Sequence, residues 1–325
     1  MRLDMISKTL WLAGACALMA LGQDSRLSGP VPGFVFHSPT RSIRPIVGVP
    51  GSAYLGPMVA QDLDAASVSP LGKSALATRA SKLYFLQGLD SGEPVATPIE
   101  GAISAVDRFA WSQDGLSAAV YSADSRQAQI LRSPNASQPP GVESAVDLSS
   151  TAAAVSALLF DGKRLLVGAG SVYSADNSGL KLLLQAANPS ALALGAGNRD
   201  LFVADRASNQ IWMIRDYAGD ATPMLFSDGA GLSAPVGLRL AGSGRYLLVA
   251  NFGSRSVDAM EISTHSSMKH IDLEFAPSRM DTVGSGALAL LNSGADGEPL
   301  YLIDSGLIDS GNDLAVYFVP ARSEE

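Results

Sequence analysis

Three histidines are the first residues to weigh for chemistry: His37, His265 and His270. The last two flank Ser266-Ser267-Met268-Lys269, a spacing that fits none of the common zinc motifs. All three read as surface or turn residues. The chain has no HExxH pair, no glycine-rich phosphate loop and no GxSxG elbow. Asp161-Gly162 and Asp296-Gly297 are tight-turn signals, and neither is followed by the ladder of oxygens that a calcium loop needs. Cys16 is the single cysteine, so neither a disulfide nor a thiolate metal centre can form within the chain. No catalytic motif and no cofactor is implied.

Composition narrows the partners. The 325 residues carry 23 Lys and Arg against 31 Asp and Glu, a formal charge of −8, with no basic block. Nucleic acid is therefore excluded, because phosphate binding needs clustered cations. Hydrophobic residues make up 47% and charged residues 17%, enough apolar material for a large core. Arg2 and Lys8 precede the apolar run 9–21, and Ala20 and Gly22 supply the small residues of a cleavage site. This is the form of a secretory signal over 1–22, and its run is too short for a membrane span of about 20 residues. The expectation is a secreted or periplasmic protein starting near Gln23, with no span after signal removal.

The elements that would position any site are strands. Residues 189–214 read as strand, turn, strand, turn, strand, with apolar side chains at nearly every strand position. Such runs fit sheets buried on both faces. Pairs of strands joined by a short polar turn recur: 74–78 with 82–87, 117–121 with 127–131, and 164–168 with 171–174. The series continues with 201–204 and 210–214, 246–250 and 257–262, and 287–291 and 300–303. Taking Leu76, Val120, Val167, Val203, Val249 and Leu290 as equivalent gives a spacing of about 43 residues, that of four-stranded propeller blades. Trp111 and Trp212 read as core between blades.

Pro189, Leu201-Phe202-Val203-Ala204-Asp205 and Asn209-Gln210-Ile211 resemble an NHL repeat. Val249-Ala250-Asn251-Phe252-Gly253-Ser254-Arg255-Ser256-Val257 resembles the YVTN repeat. The resemblance covers roughly residues 50–320. It implies an all-β chain, a β-propeller with four antiparallel strands per blade. Six strand pairs favour six blades, with seven as the alternative. A cysteine-free exported propeller of this kind points to a bacterial source. Residues 23–325 would form one domain. Its N-terminal strands (34–37 and 43–47) would share the closing blade with the C-terminal strand 314–319.

In a propeller, the turns between second and third strands emerge on one face of the ring. Here they carry Arg79, Asp124, Arg126, Asp205, Arg206, Asn209, Asn251, Arg255 and Asn292. Charges of both signs with amides suit recognition of a protein, a polar small molecule or a glycan. The expected function is a non-catalytic binding or scaffold module, monomeric, that uses this face. Resemblance to six-bladed lactonase-like hydrolases implies an alternative, with a cation on the central axis. Asp205, Asn251 and Asp304 are the residues that could then hold a metal.

Overall fold

The computed structural model describes residues 29–135, 138–176, 179–284, 286–310 and 313–320. The signal-like stretch 1–22 and the expected mature start at Gln23 lie outside them. Seven antiparallel sheets follow one another along the chain. Blade 1 holds Gly33–His37, Ser42–Val49 and Ser52–Leu55. Blade 2 holds Ala65–Val68, Ser74–Arg79, Lys82–Gln87 and Val95–Pro98. Blade 3 holds Arg108–Trp111, Ser117–Ser122, Gln127–Arg132 and Gly141–Asp147. Blade 4 holds Ala157–Phe160, Leu165–Gly168, Val172–Asp176 and Gly179–Leu184. Blade 5 holds Pro189–Leu194, Leu201–Asp205, Gln210–Arg215 and Thr222–Ser227. Blade 6 holds Pro235–Ala241, Tyr246–Asn251, Ser256–Glu261 and Ser266–Asp272. Blade 7 holds Asp281–Thr282, Leu288–Leu290, Leu300–Asp304 and Ala315–Val319.

Strand alternation explains why the middle strands are apolar throughout. In blade 6, Leu247 and Val249 pack towards blade 5, against Phe202 and Met213. Their neighbours Leu248 and Ala250 point the other way, against Ala289 and Ile303 of blade 7. Each sheet thus buries both faces against its neighbours, which offsets the weakness of a lone four-stranded sheet. The core is accordingly divided into seven apolar clusters, one for each contact between adjacent blades. The seventh closes the ring. It joins Val35, Ile46 and Leu55 of blade 1 to Leu288, Leu300, Leu302 and Val319 of blade 7.

The blade count is seven rather than the favoured six, because the N-terminal strands form a blade of their own. Ala315–Val319 pairs only within blade 7, so the ends of the described chain do not share a sheet. They meet between sheets, where the Leu55 N–H donates to the Pro320 carbonyl at 3.1 Å.

Blade 1 is also offset from the others. The turn after its first strand ends at Arg41 with φ 48°, in the left-handed region. Arg126, Asn209 and Arg255, with φ of 51°, 56° and 52°, end the turns between second and third strands in blades 3, 5 and 6. The Leu63 N–H donates to the Arg41 carbonyl, as Leu148 does to Arg126 and Leu273 to Arg255. Blade 1 therefore supplies second, third and fourth strands, and no described residue fills its innermost position.

Polar bridges fix adjacent blades at their rims. Tyr217, 1% exposed, donates its hydroxyl to Asp161 Oδ2 at 2.7 Å across the contact between blades 4 and 5. Burial, with the Asp161 carboxylate beside it, pushes this phenol well above its usual range. Tyr217→Phe keeps the ring in place and removes only that bond. We expect a loss of about 1–2 kcal/mol, read as a lower urea midpoint with an unchanged slope.

Candidate functional site: the mouth of the central channel

The first strands of blades 2 to 7 stand around a central channel whose mouth encloses about 490 Å³. It opens on the face where the turns between second and third strands emerge. The Ala123 N–H of one such turn donates to Asp107, at the lip of the channel, at 2.8 Å. Small residues let the inner strands converge. A methyl group added at Gly237 would lie 2.6 Å from Met280 Cβ and 3.0 Å from its backbone nitrogen. Hydroxyls tie one inner strand to the next: Ser156 donates to the Pro189 carbonyl and Ser190 to the Pro235 carbonyl, both at 2.6 Å.

Charge enters the mouth at two places. Blade 3 contributes Asp107 and Arg108, whose carboxylate and guanidinium are 4.0 Å apart. Blade 7 contributes Arg279 and Asp281, bonded at 3.1 Å. Ser67 of blade 2 and Ser278, beside Arg279, also line the mouth. Lower in the ring, Arg239 of the blade 6 inner strand crosses to Thr282, Gly286 and Leu288 of blade 7. Burial lowers its pKa, opposed by the charge of Asp304.

The turn residues singled out from sequence do lie on this face, but most are engaged in holding it together. Arg79 donates to the Gln61 carbonyl and Arg126 to the Thr151 carbonyl. Asn209 accepts from the Ala234 N–H of the next blade at 2.7 Å. Asn292 staples its own long turn, donating to the Pro299 carbonyl and accepting from the Tyr301 N–H. Arg206 sits over the Phe252 ring, 4.8 Å from its centroid. Arg255 and Asp124 are exposed.

Asp205 is 3% exposed and accepts from the N–H groups of Ala187, Asn188 and Ala207. Asn251 is fully buried, accepting from the Ser233 N–H and donating to Asp258 at 2.8 Å. Asp304 stands at the far end of a third strand, on the opposite face of the ring, where it accepts from the Gly306 N–H. The three candidate metal ligands are therefore not gathered at one place. Among the described residues no group of three or more His, Cys, Asp or Glu could hold a metal ion.

The histidines are more engaged than their spacing suggests. His37 is buried in blade 1 and bonded to Thr40. His270 bridges Asp258 and Asp272, whose carboxylates raise its pKa. Trp111 and Trp212 are only half-buried. Trp111 donates to the Ser67 carbonyl, while Trp212 borders a groove of about 540 Å³ between blades 4 and 5. Among the described residues, the one carboxylate lining that groove is Asp205, already engaged by backbone N–H groups. Sequence reasoning missed Asp107, Arg108, Arg279 and Asp281. The signal available was their position, just at or before the first strand of a blade, where side chains reach the channel.

No helix among the described residues is long and apolar enough to cross a membrane. No family model matches the chain. No curated protein matches it either. Among solved structures it is similar to a functionally unknown protein from Desulfotomaculum acetoxidans DSM 771. The TM-score is 0.56 at 13% identity, over 76% of this chain and 78% of that one. As many as 1270 solved chains match, so the likeness speaks of a widely used fold and leaves function to the site. By its sheets, its seven interfaces and this likeness, the chain is a seven-bladed β-propeller.

Proposed function

We propose that the protein is an exported, non-catalytic binding module of the NHL/YVTN repeat type, holding a polar ligand at the mouth of its central channel. One observation carries this reading. On the face where the turns emerge, most of the buried polar side chains are tied into the fold, whereas solvent-accessible charged groups from blades 3 and 7 converge on one hollow. Its volume falls in the range of small-molecule sites, and its walls come from rigid inner strands. Export rests on the signal-like stretch 1–22, and the repeat type on the strings around Val203 and Val249. A small polar molecule, a glycan or a protein segment would all reach this face, and the protein works as a monomer without a cofactor.

The rival is a metal-dependent hydrolase with its cation on the axis. A metal bound to the native state alone would add about 2.7 kcal/mol at a hundredfold excess over its dissociation constant. We expect EDTA to leave the melting temperature of the mature protein unchanged, and added calcium to do the same. A reproducible fall of several degrees on chelation would replace the binding reading with the hydrolase.

A further inference from the structure

The four charges at the mouth are arranged in a way that selects a ligand class; this step rests on the binding reading above. Blades 3 and 7 are separated by blades 1 and 2 on one side and by blades 4, 5 and 6 on the other, so the two charged pairs line opposite sides of the mouth. Each wall carries one guanidinium and one carboxylate. All four are accessible: the side chains of Asp107 and Arg108 are 44% and 45% exposed, those of Arg279 and Asp281 34% and 61%. Neither pair is saturated. Arg108 and Asp107 stand 4.0 Å apart, beyond hydrogen-bonding distance, and the Arg279–Asp281 bond uses one guanidinium nitrogen.

The net charge of this set is zero, with the two signs held on both walls. A simple anion is drawn to one member of each pair and repelled by the other, and a simple cation likewise. A molecule carrying both signs gains at both ends. Its carboxylate can take the paired N–H groups of an arginine on one wall, while its ammonium meets the carboxylate on the other. Ser67, on the shorter arc between the walls, and Ser278, beside Arg279, suit a polar backbone. From this geometry we infer that the channel mouth binds a small zwitterion: a short linear peptide with free amino and carboxyl ends, docked between Arg108/Asp107 and Arg279/Asp281.

The test is titration calorimetry of the mature protein with triglycine, N-acetyl-triglycine and triglycine amide, at low and high salt. Free triglycine should bind, and blocking either end should weaken it roughly tenfold or more, the effect of losing one charged hydrogen bond. Arg108→Gln and Arg279→Gln should each produce a similar loss, and salt should weaken binding of the free peptide. Circular dichroism melts confirm that both variants keep the fold. Equal binding of free and blocked peptides, or binding indifferent to both substitutions, overturns the zwitterion. So does no binding of triglycine. A parallel titration with a neutral disaccharide separates the two ideas: disaccharide binding lost in Arg108→Gln would keep the mouth as a site while removing this ligand class.

Discussion

A protein lacking residues 33–48 is expected to lose its cooperative unfolding transition and to elute as oligomers. The deletion removes the first strand of blade 1 and nearly all of the second. With them go Phe34, Val35, Ile43, Ile46 and Val47, each at most 5% exposed. Burying a side chain of this size is worth about 1.5–3 kcal/mol, so the five together rival the roughly 5–15 kcal/mol that holds a whole domain. The damage extends beyond blade 1. Leu288, Leu300 and Leu302 of blade 7 lose their cover, and so do Leu63, Ala75 and Leu86 on the blade 2 side. Two apolar faces and unpaired strand edges are then open to other chains. Urea unfolding and size-exclusion chromatography of the mature and shortened proteins decide it. A shortened protein that stays monomeric with an unchanged midpoint would mean that the ring is closed by something other than blade 1.

Asp205→Ala should be among the most destabilising single substitutions, at about 2–4 kcal/mol. The carboxylate accepts three backbone N–H groups within 2.9–3.1 Å in a place almost closed to water. Its removal leaves those donors without a partner, at about 1–3 kcal/mol for a buried polar group so orphaned. The same site sets a pH dependence. Burial alone raises the Asp205 pKa, but hydrogen bonds from Ala187, Asn188, Ser208 and Ala207 outweigh it, and the net shift is downward. The folded value then lies below the unfolded value of about 3.9. The stabilisation is fully present above that unfolded value and is lost as pH falls through the folded one. Below about pH 4 the wild type should therefore lose stability more steeply than Asp205→Ala, and the two denaturation curves should converge. Parallel losses of stability for the two proteins would show that the carboxylate is not held as its contacts indicate.

Much of the fold was legible in local patterns. All six strand pairs read from the sequence are present, with ends within a residue or two. Alternation and polar turns act between neighbours in the chain, so they need no tertiary knowledge. The seventh pair was legible too. Val35 precedes Leu76 by 41 residues, inside the repeat interval, and Pro39-Thr40-Arg41-Ser42 occupies the place of the other turns. From sequence it is assigned to a closing blade shared with the C-terminal strand 314–319, whereas it forms a sheet of its own that begins at the second blade position. Where a repeat starts relative to the ring is a property of closure, not of any local string.

The site divides in the same way. Composition and the lack of motifs, from sequence alone, led to the expectation that nucleic acid is no partner, and the sequence carries no standard catalytic or zinc signature. Sequence also placed Asp205, Asn251 and Asn209 in turns on one face. Only the tertiary structure decided what those side chains do. Asn209 reaches the next blade at Ala234, Asn251 meets Asp258, and Asp205 closes on Ala187, contacts between residues 7 to 25 positions apart. A polar residue in a turn looks the same in sequence whether it binds a ligand or its own backbone. The charged pairs of the mouth come from residues 107–108 and 279–281, far apart in the chain. They share a hollow because seven sheets, each burying both faces, can satisfy themselves only by closing into a ring.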